Sequence, residues 1–183
     1  EPLSNATINT LFASLSAAFG SNVNINPNDW GACLRTDTDA HAIRYEGSGT
    51  YTHRRWNGTS WGAGSSVPSF TAMVGAGVSL VTDGTSVWAF AIANAAGNAI
   101  NYCTWTSGGG WGSWTAFEDS SQVRNHITAS YAATPATIAV CWCQTNGSNY
   151  DLVVEGLSTV TPPAVFPPGP TIVRQAVQRA AVW

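Results

Sequence analysis

The chain has 183 residues, enough for one domain or for one domain with arms. Only 9% of them are charged, against about 25% in an average soluble domain, and the 44% apolar fraction excludes general disorder. Lysine is absent, all seven cations are arginine, and ten acids bring the net charge to −3. That balance argues against nucleic acid as a partner, because phosphate binding needs clustered Lys and Arg. No apolar run approaches the ~20 residues of a membrane helix, so membrane insertion is not expected.

Residues 1–28 read as an N-terminal arm. Glu1-Pro2-Leu3-Ser4 carries no basic stretch, so no signal peptide is read there and the end is taken as a processed one. Ile8, Leu11, Phe12, Leu15 and Phe19 recur at helical spacing, with Ser4 or Thr7 as cap and Gly20 as stop. Phe12 and Phe19 are the residues of this arm expected to make assembly contacts. The Asn-rich stretch from Ser21 to Asn28 reads as a loop.

Residues 29–160 read as β throughout. Alternating runs at His41–Glu46, Tyr51–Trp56, Val87–Ala93, Ile100–Trp105, Thr137–Cys143 and Tyr150–Val154 are punctuated by Gly, Asn, Asp and Ser clusters. Strands this short and evenly separated predict a sandwich, barrel or propeller. Asp83-Gly84 predicts a hairpin turn.

An internal repeat favours the propeller. Trp56-Asn57-Gly58-Thr59-Ser60-Trp61-Gly62 returns as Trp105-Thr106-Ser107-Gly108-Gly109-Gly110-Trp111-Gly112, with offsets of 49 at the first Trp and 50 at the second. A third, degraded copy begins at Ile138 and loses the Trp turn. A period near 50 with several strands per unit suits a propeller blade. The expected fold class is therefore all-β, with β-propeller-like repeats between a helical N-terminal arm and an extended, Pro-rich C-terminal arm.

Residues 161–183 form that last arm. Pro162-Pro163 and Pro167-Pro168-Gly169-Pro170 predict a stiff linker. The tail beyond it is too apolar to float free, and Ile172, Val177 and Trp183 are its expected assembly contacts.

The repeat resembles the blades of fucose-binding β-propeller lectins of fungi and bacteria. The likeness runs over roughly residues 35–155, through Ile43-Arg44-Tyr45, Tyr51 to Gly64, Asp83 to Phe90, and Trp105 with Trp111 to Trp114. It implies an Arg and a Glu that grip the sugar and an aromatic that stacks on it. Arg44 matches the Arg, and His53 stands at the Glu position. In the second repeat those two positions read Trp88 and Tyr102. The aromatics Trp56, Trp61, Trp105 and Trp111 match well. It also implies ring closure by association of short chains, as a homo-oligomeric dimer or trimer, since two or three blades leave sheet edges exposed.

The expected glycan-binding set is thus Arg44, His53, Trp56, Trp61, Tyr102, Trp105, Trp111 and Trp114. Inter-blade packing is the competing use of the Trp residues, and a strand-surface ion pair with Glu46 or an Asp is the competing use of Arg44, Arg54 and Arg55. Arg54 and Arg55 should face opposite sides of their strand. Asp37, Asp39 and His41 alternate; they read as a polar turn rather than a metal site. No catalytic residue, metal or cofactor is expected: there is no GxSxG elbow, P-loop or HExxH, and the ten acids form no suggestive pair. Cys33, Cys103, Cys141 and Cys143 leave two disulfides or four buried thiols equally open.

The function expected from these readings is non-catalytic binding of cell-surface or particle glycans by an extracellular or virion-surface module. The alternative is a structural protein of a virion, phage tail appendage or extracellular filament whose arms clasp neighbours.

Overall fold

The computed structural model describes residues 14–15, 18–19, 30–74, 76–94, 98–118, 123–147, 149–159 and 172–173. Phe12, Val177 and Trp183, and most of both arms, lie outside the described residues.

Three antiparallel sheets, none closed, make up the described fold. The first is a meander of β1 (Trp30–Thr36), β2 (Asp39–Gly47), β3 (Thr50–Trp56) and β4 (Trp61–Ala63). The second joins β5 (Val78–Thr82), β6 (Val87–Ile92), β7 (Ile100–Thr106) and β8 (Gly110–Trp111), and β9 (Thr115–Glu118) continues along β7 beyond β8. The third orders β10 (Arg124–Ala133), β11 (Ala136–Asn146), β12 (Asn149–Ser158) and the two-residue β13 (Ile172–Val173). Each of the six expected runs falls on a strand, with Ala93 one residue past the end of β6. Among the described residues no helix is long and apolar enough to cross a membrane.

The turns follow from their residues. Asp83 Oδ1 accepts from the Thr85 and Ser86 N–H groups, and Gly84 takes φ +87°. Asn57 Oδ1 does the same for Thr59 and Ser60, with Gly58 at φ +92°. A short polar side chain that caps its own turn, followed by a residue free to adopt positive φ, closes a hairpin tightly. The Asn57 turn pairs Trp56 with Trp61 across β3–β4, and in β7–β8 Thr106 Oγ1 accepts from the Gly109 N–H, Gly110 takes φ +70°, and Trp105 pairs with Trp111.

The sheets stack in series. β1 lies against β5, and β5 against β10. Between the first and second sheets, Ile43, Tyr45 and Tyr51 meet Val78, Leu80, Val87, Ala89, Cys103 and Trp105 in one buried cluster. Between the second and third, Phe90, Ile92, Ile100 and Phe117 meet Ile138, Val140, Trp142, Val153 and Leu157. The second sheet is therefore covered on both faces, which is why β6 reads as a nearly continuous apolar run.

The outer face of the first sheet meets the N-terminal segment. Ser14, Leu15 and Ala18 are helical, and the Phe19 N–H donates to the Leu15 carbonyl at 3.3 Å. The Trp61 indole N–H donates to Ser14 Oγ at 3.2 Å, and Arg44 lies 5.1 Å over the Phe19 ring. On the third sheet Tyr150, Leu152 and Val154 alternate along β12 and remain exposed.

Candidate functional site

Strand pairing places Asp39 at the start of β2 and Arg55 near the end of β3, with Arg35 at the end of β1. Asp39 is buried, and its carboxylate collects both arginines. Arg35 Nε donates to Oδ2 at 2.6 Å, Arg55 Nε to Oδ1 at 2.6 Å, and Arg55 Nη2 to Oδ2 at 3.0 Å. Burial alone would raise this carboxyl, but the hydrogen bonds from Arg55 and Arg35 outweigh it and hold the pKa at about 2. The Arg55 guanidinium is raised in turn, first by its hydrogen bond to Asp39. Both guanidiniums lie over Trp105, at 4.9 Å for Arg55 and 5.8 Å for Arg35. A pocket of about 480 Å³ opens here, between the ends of the β1–β2 and β3–β4 hairpins. Its lining includes Arg35, Thr38, Asp39, Arg55, Trp56 and Asn57.

Behind the carboxylate runs a buried polar line. His41 Nε2 stands 3.3 Å from Asp39 Oδ1, His41 Nδ1 lies 3.0 Å from His53 Nε2, and Trp111 Nε1 lies 3.1 Å from His53 Nδ1. An indole nitrogen only donates, so His53 Nδ1 carries a lone pair toward Trp111. The His53 proton then sits on Nε2 and is given to His41 Nδ1. The His41 proton sits on Nε2, toward the Asp39 carboxylate. Burial is the main force pushing both histidines down, to about 4, so this neutral arrangement holds at pH 7. The Ser65 carbonyl, 3.2 Å from His53 Nδ1, opposes that shift by favouring a protonated ring.

The expected glycan-binding residues do not converge. His53, Trp105 and Trp111 are buried at the junction of the first two sheets, where His41 packs on Trp105 and meets His53, and His53 packs on Trp111. Trp114 stacks on Phe70 with ring centroids 4.7 Å apart and donates to the Pro68 carbonyl. Tyr102 packs against Trp88 and Phe90 at the other junction. Arg44 ion-pairs with Glu46 at 2.7 Å, and its Nη1 donates to the Phe19 carbonyl. Trp56 and Trp61 tilt against each other at 5.8 Å, and of the eight only Trp56 lines the pocket. Of the assembly residues, Phe19 packs under Arg44 of the same chain, and Ile172 pairs through its backbone with Leu157 of β12.

Strand register also corrects the repeat alignment. With Trp56 matched to Trp105, Trp88 falls opposite Thr104 as His41 falls opposite Arg55. The residue at the Arg44 position is Ala91, not Trp88, because β2 and β6 are offset by 47 where β3 and β7 are offset by 49.

Sequence reasoning weighed Arg55 and Asp39 separately and missed Arg35. The usable signal was the opposite facing of Arg54 and Arg55, which put one guanidinium on the His41 side of the sheet. Asp37 sits in the β1–β2 turn, while Asp39 and His41 share a face of β2. Among the described residues, no group of three or more His, Cys, Asp or Glu side chains is arranged to hold a metal ion. All four cysteines are free thiols.

No family model matches the chain, and no curated protein matches it. Among solved structures it is similar to a fucose lectin from Kordia zhangzhouensis in complex with methyl-fucoside. That similarity covers 72% of this chain and 93% of the lectin, at 17% sequence identity and a TM-score of 0.43. A likeness at that level assigns neither a family nor a ligand to this chain.

Proposed function

We propose that the chain is a non-catalytic glycan-binding module that works outside the cell or on a particle surface, with its three sheets acting as propeller-like blades. The pocket between the β1–β2 and β3–β4 hairpins carries this reading. It is open, of a size for one or two sugar rings, and lined by guanidinium, hydroxyl and amide groups that hydrogen-bond sugars. Its Asp39 is locked between two arginines and held ionised, which suits a fixed recognition group and not a proton-transferring acid.

Blades in series leave a face at each end. The first sheet's outer face meets the helical segment, whereas Tyr150, Leu152 and Val154 stand exposed on the third. Such a stripe supports self-association into a dimer or trimer that completes a ring, with avidity from several weak sites.

The test is a broad glycan panel, read for binding and for turnover, with the full chain and with Arg55→Ala. Binding without product that falls at least about tenfold in Arg55→Ala is the expected result. Binding that is indifferent to Arg55, or cleavage of any panel glycan, would overturn the assignment.

A further inference from the structure

Resting on the glycan-binding reading above, we infer that the pocket takes a glycan bearing an anionic group, a carboxylate or a sulfate ester, held against the guanidiniums of Arg35 and Arg55.

Charge is the first ground. Two arginines and one acid line the pocket, an excess of one positive charge on a chain whose net charge is −3. Asp37, in the β1–β2 turn, is exposed and is not among the lining residues. One buried carboxylate shared by two guanidiniums leaves the cluster with one positive charge unbalanced. A ligand anion balances it.

Hydrogen-bond capacity is the second ground. Asp39 Oδ2 accepts from Arg35 Nε and Arg55 Nη2, and Oδ1 accepts from Arg55 Nε. Asn57 Oδ1 is engaged by the N–H groups of Thr59 and Ser60. The strongest acceptors of the lining are therefore occupied. Each guanidinium has five N–H donors, and Nη1 of both makes no hydrogen bond to a described residue. A neutral sugar hydroxyl can accept from these donors but brings no charge to balance the cationic excess. A carboxylate or sulfate only accepts, and it matches a donor-rich wall. Arg55, with 41% of its side chain exposed, is open to such a group, and its stacking over Trp105 fixes the plane it presents.

The experiment is calorimetric titration of the full chain with matched pairs: methyl β-glucuronide against methyl β-glucoside, and galactose 6-sulfate against galactose. The expected result is a preference of roughly tenfold or more for the anionic member of at least one pair. Which pair responds separates a carboxylate ligand from a sulfate ligand. That preference should weaken as salt rises and be lost in Arg35→Gln. The salt series on the unmodified chain decides the matter if Arg35→Gln fails to fold. Neutral and anionic sugars bound equally, or an anionic preference untouched by salt, would overturn this inference and leave glycan binding standing. No binding of any sugar, here and on the broad panel, would overturn both.

Discussion

His53 Nε2 lies 3.0 Å from His41 Nδ1, and both rings are at most 5% exposed. His53 donates and His41 accepts, so a second proton on His41 Nδ1 breaks this contact and a second proton on His53 Nδ1 breaks the one from Trp111. A proton on either places a charge in a junction that includes Trp105 and Trp111.

Acid should therefore loosen the first junction before it loosens the second. Both folded-state pKa values, about 4, lie below the ordinary histidine value of about 6.5. The unfolded chain thus takes up protons first as pH falls. Stability is full above about 6.5 and is lost toward pH 4, at up to about 1.4 kcal/mol per pH unit for each ring. Asp39 adds a loss only lower, between its ordinary value of about 3.9 and its folded value of about 2. Denaturant midpoints between pH 7 and 4.5 should fall accordingly; a flat profile over that range contradicts the neutral histidine pair.

The two first strands approach backbone to backbone. A Cβ on Gly31 would collide with the Val78 carbonyl oxygen and stand 3.1 Å from the Leu80 nitrogen, where nothing can rotate away. Gly31→Ala should cost about 1–3 kcal/mol in equilibrium unfolding. Gly108→Ala, in an exposed turn with nothing within 4 Å of the added carbon, should stay within about 0.5 kcal/mol of the parent. Equal effects at both positions would deny the close approach of β1 and β5.

Thiol reactivity should follow burial. Burial, with a smaller push from Asp39, raises the Cys33 thiol to about 12, and burial raises Cys103 also. At pH 8 in the native chain neither should react with an alkylating reagent, because the thiolate is the nucleophile. All four cysteines should react after unfolding under non-reducing conditions. Native labelling of Cys103 ahead of the other three contradicts the packing of the first junction.

The exposed stripe on β12 is the face expected to bury on self-association. Leu152 is 54% exposed and Tyr150 68%. Light scattering on the full chain should give a discrete dimer or trimer, and Leu152→Ser should reduce it to monomer with a thermal midpoint near the parent's. A monomeric parent chain contradicts ring completion.

Much of the β architecture is legible in the sequence because the outer sheets keep one polar face. Two-residue alternation locates β2, β3, β7, β11 and β12, an unbroken apolar run locates β6, and the capped Asp83-Gly84 turn closes its hairpin as its residues dictate. The site is far less legible, because its bonds are long-range. Asp39 and Arg55 are 16 positions apart and Trp111 and His53 are 58 apart, and no local pattern encodes either pairing. The Trp–Gly turns read as sugar platforms because exposed and inter-sheet indoles share the same sequence signature. Stacking of the sheets buries Trp105 and Trp111, and only the three-dimensional order of the strands reveals it. Arg35 was passed over because a single cation at a strand end carries no motif.

On the proposed function, sugar enters the pocket beside Asp39. Amide chemical-shift mapping during titration of the full chain with the best glycan from the panel tests it most directly. Saturable shifts are expected at Thr36, Thr38, Gly62 and Ala63 and at the Arg35 and Arg55 Nε–H groups, with Trp142 and its neighbours in the second junction unmoved. Shifts centred on Trp88 and Tyr102 instead, or no saturable shift with any panel glycan, would contradict it.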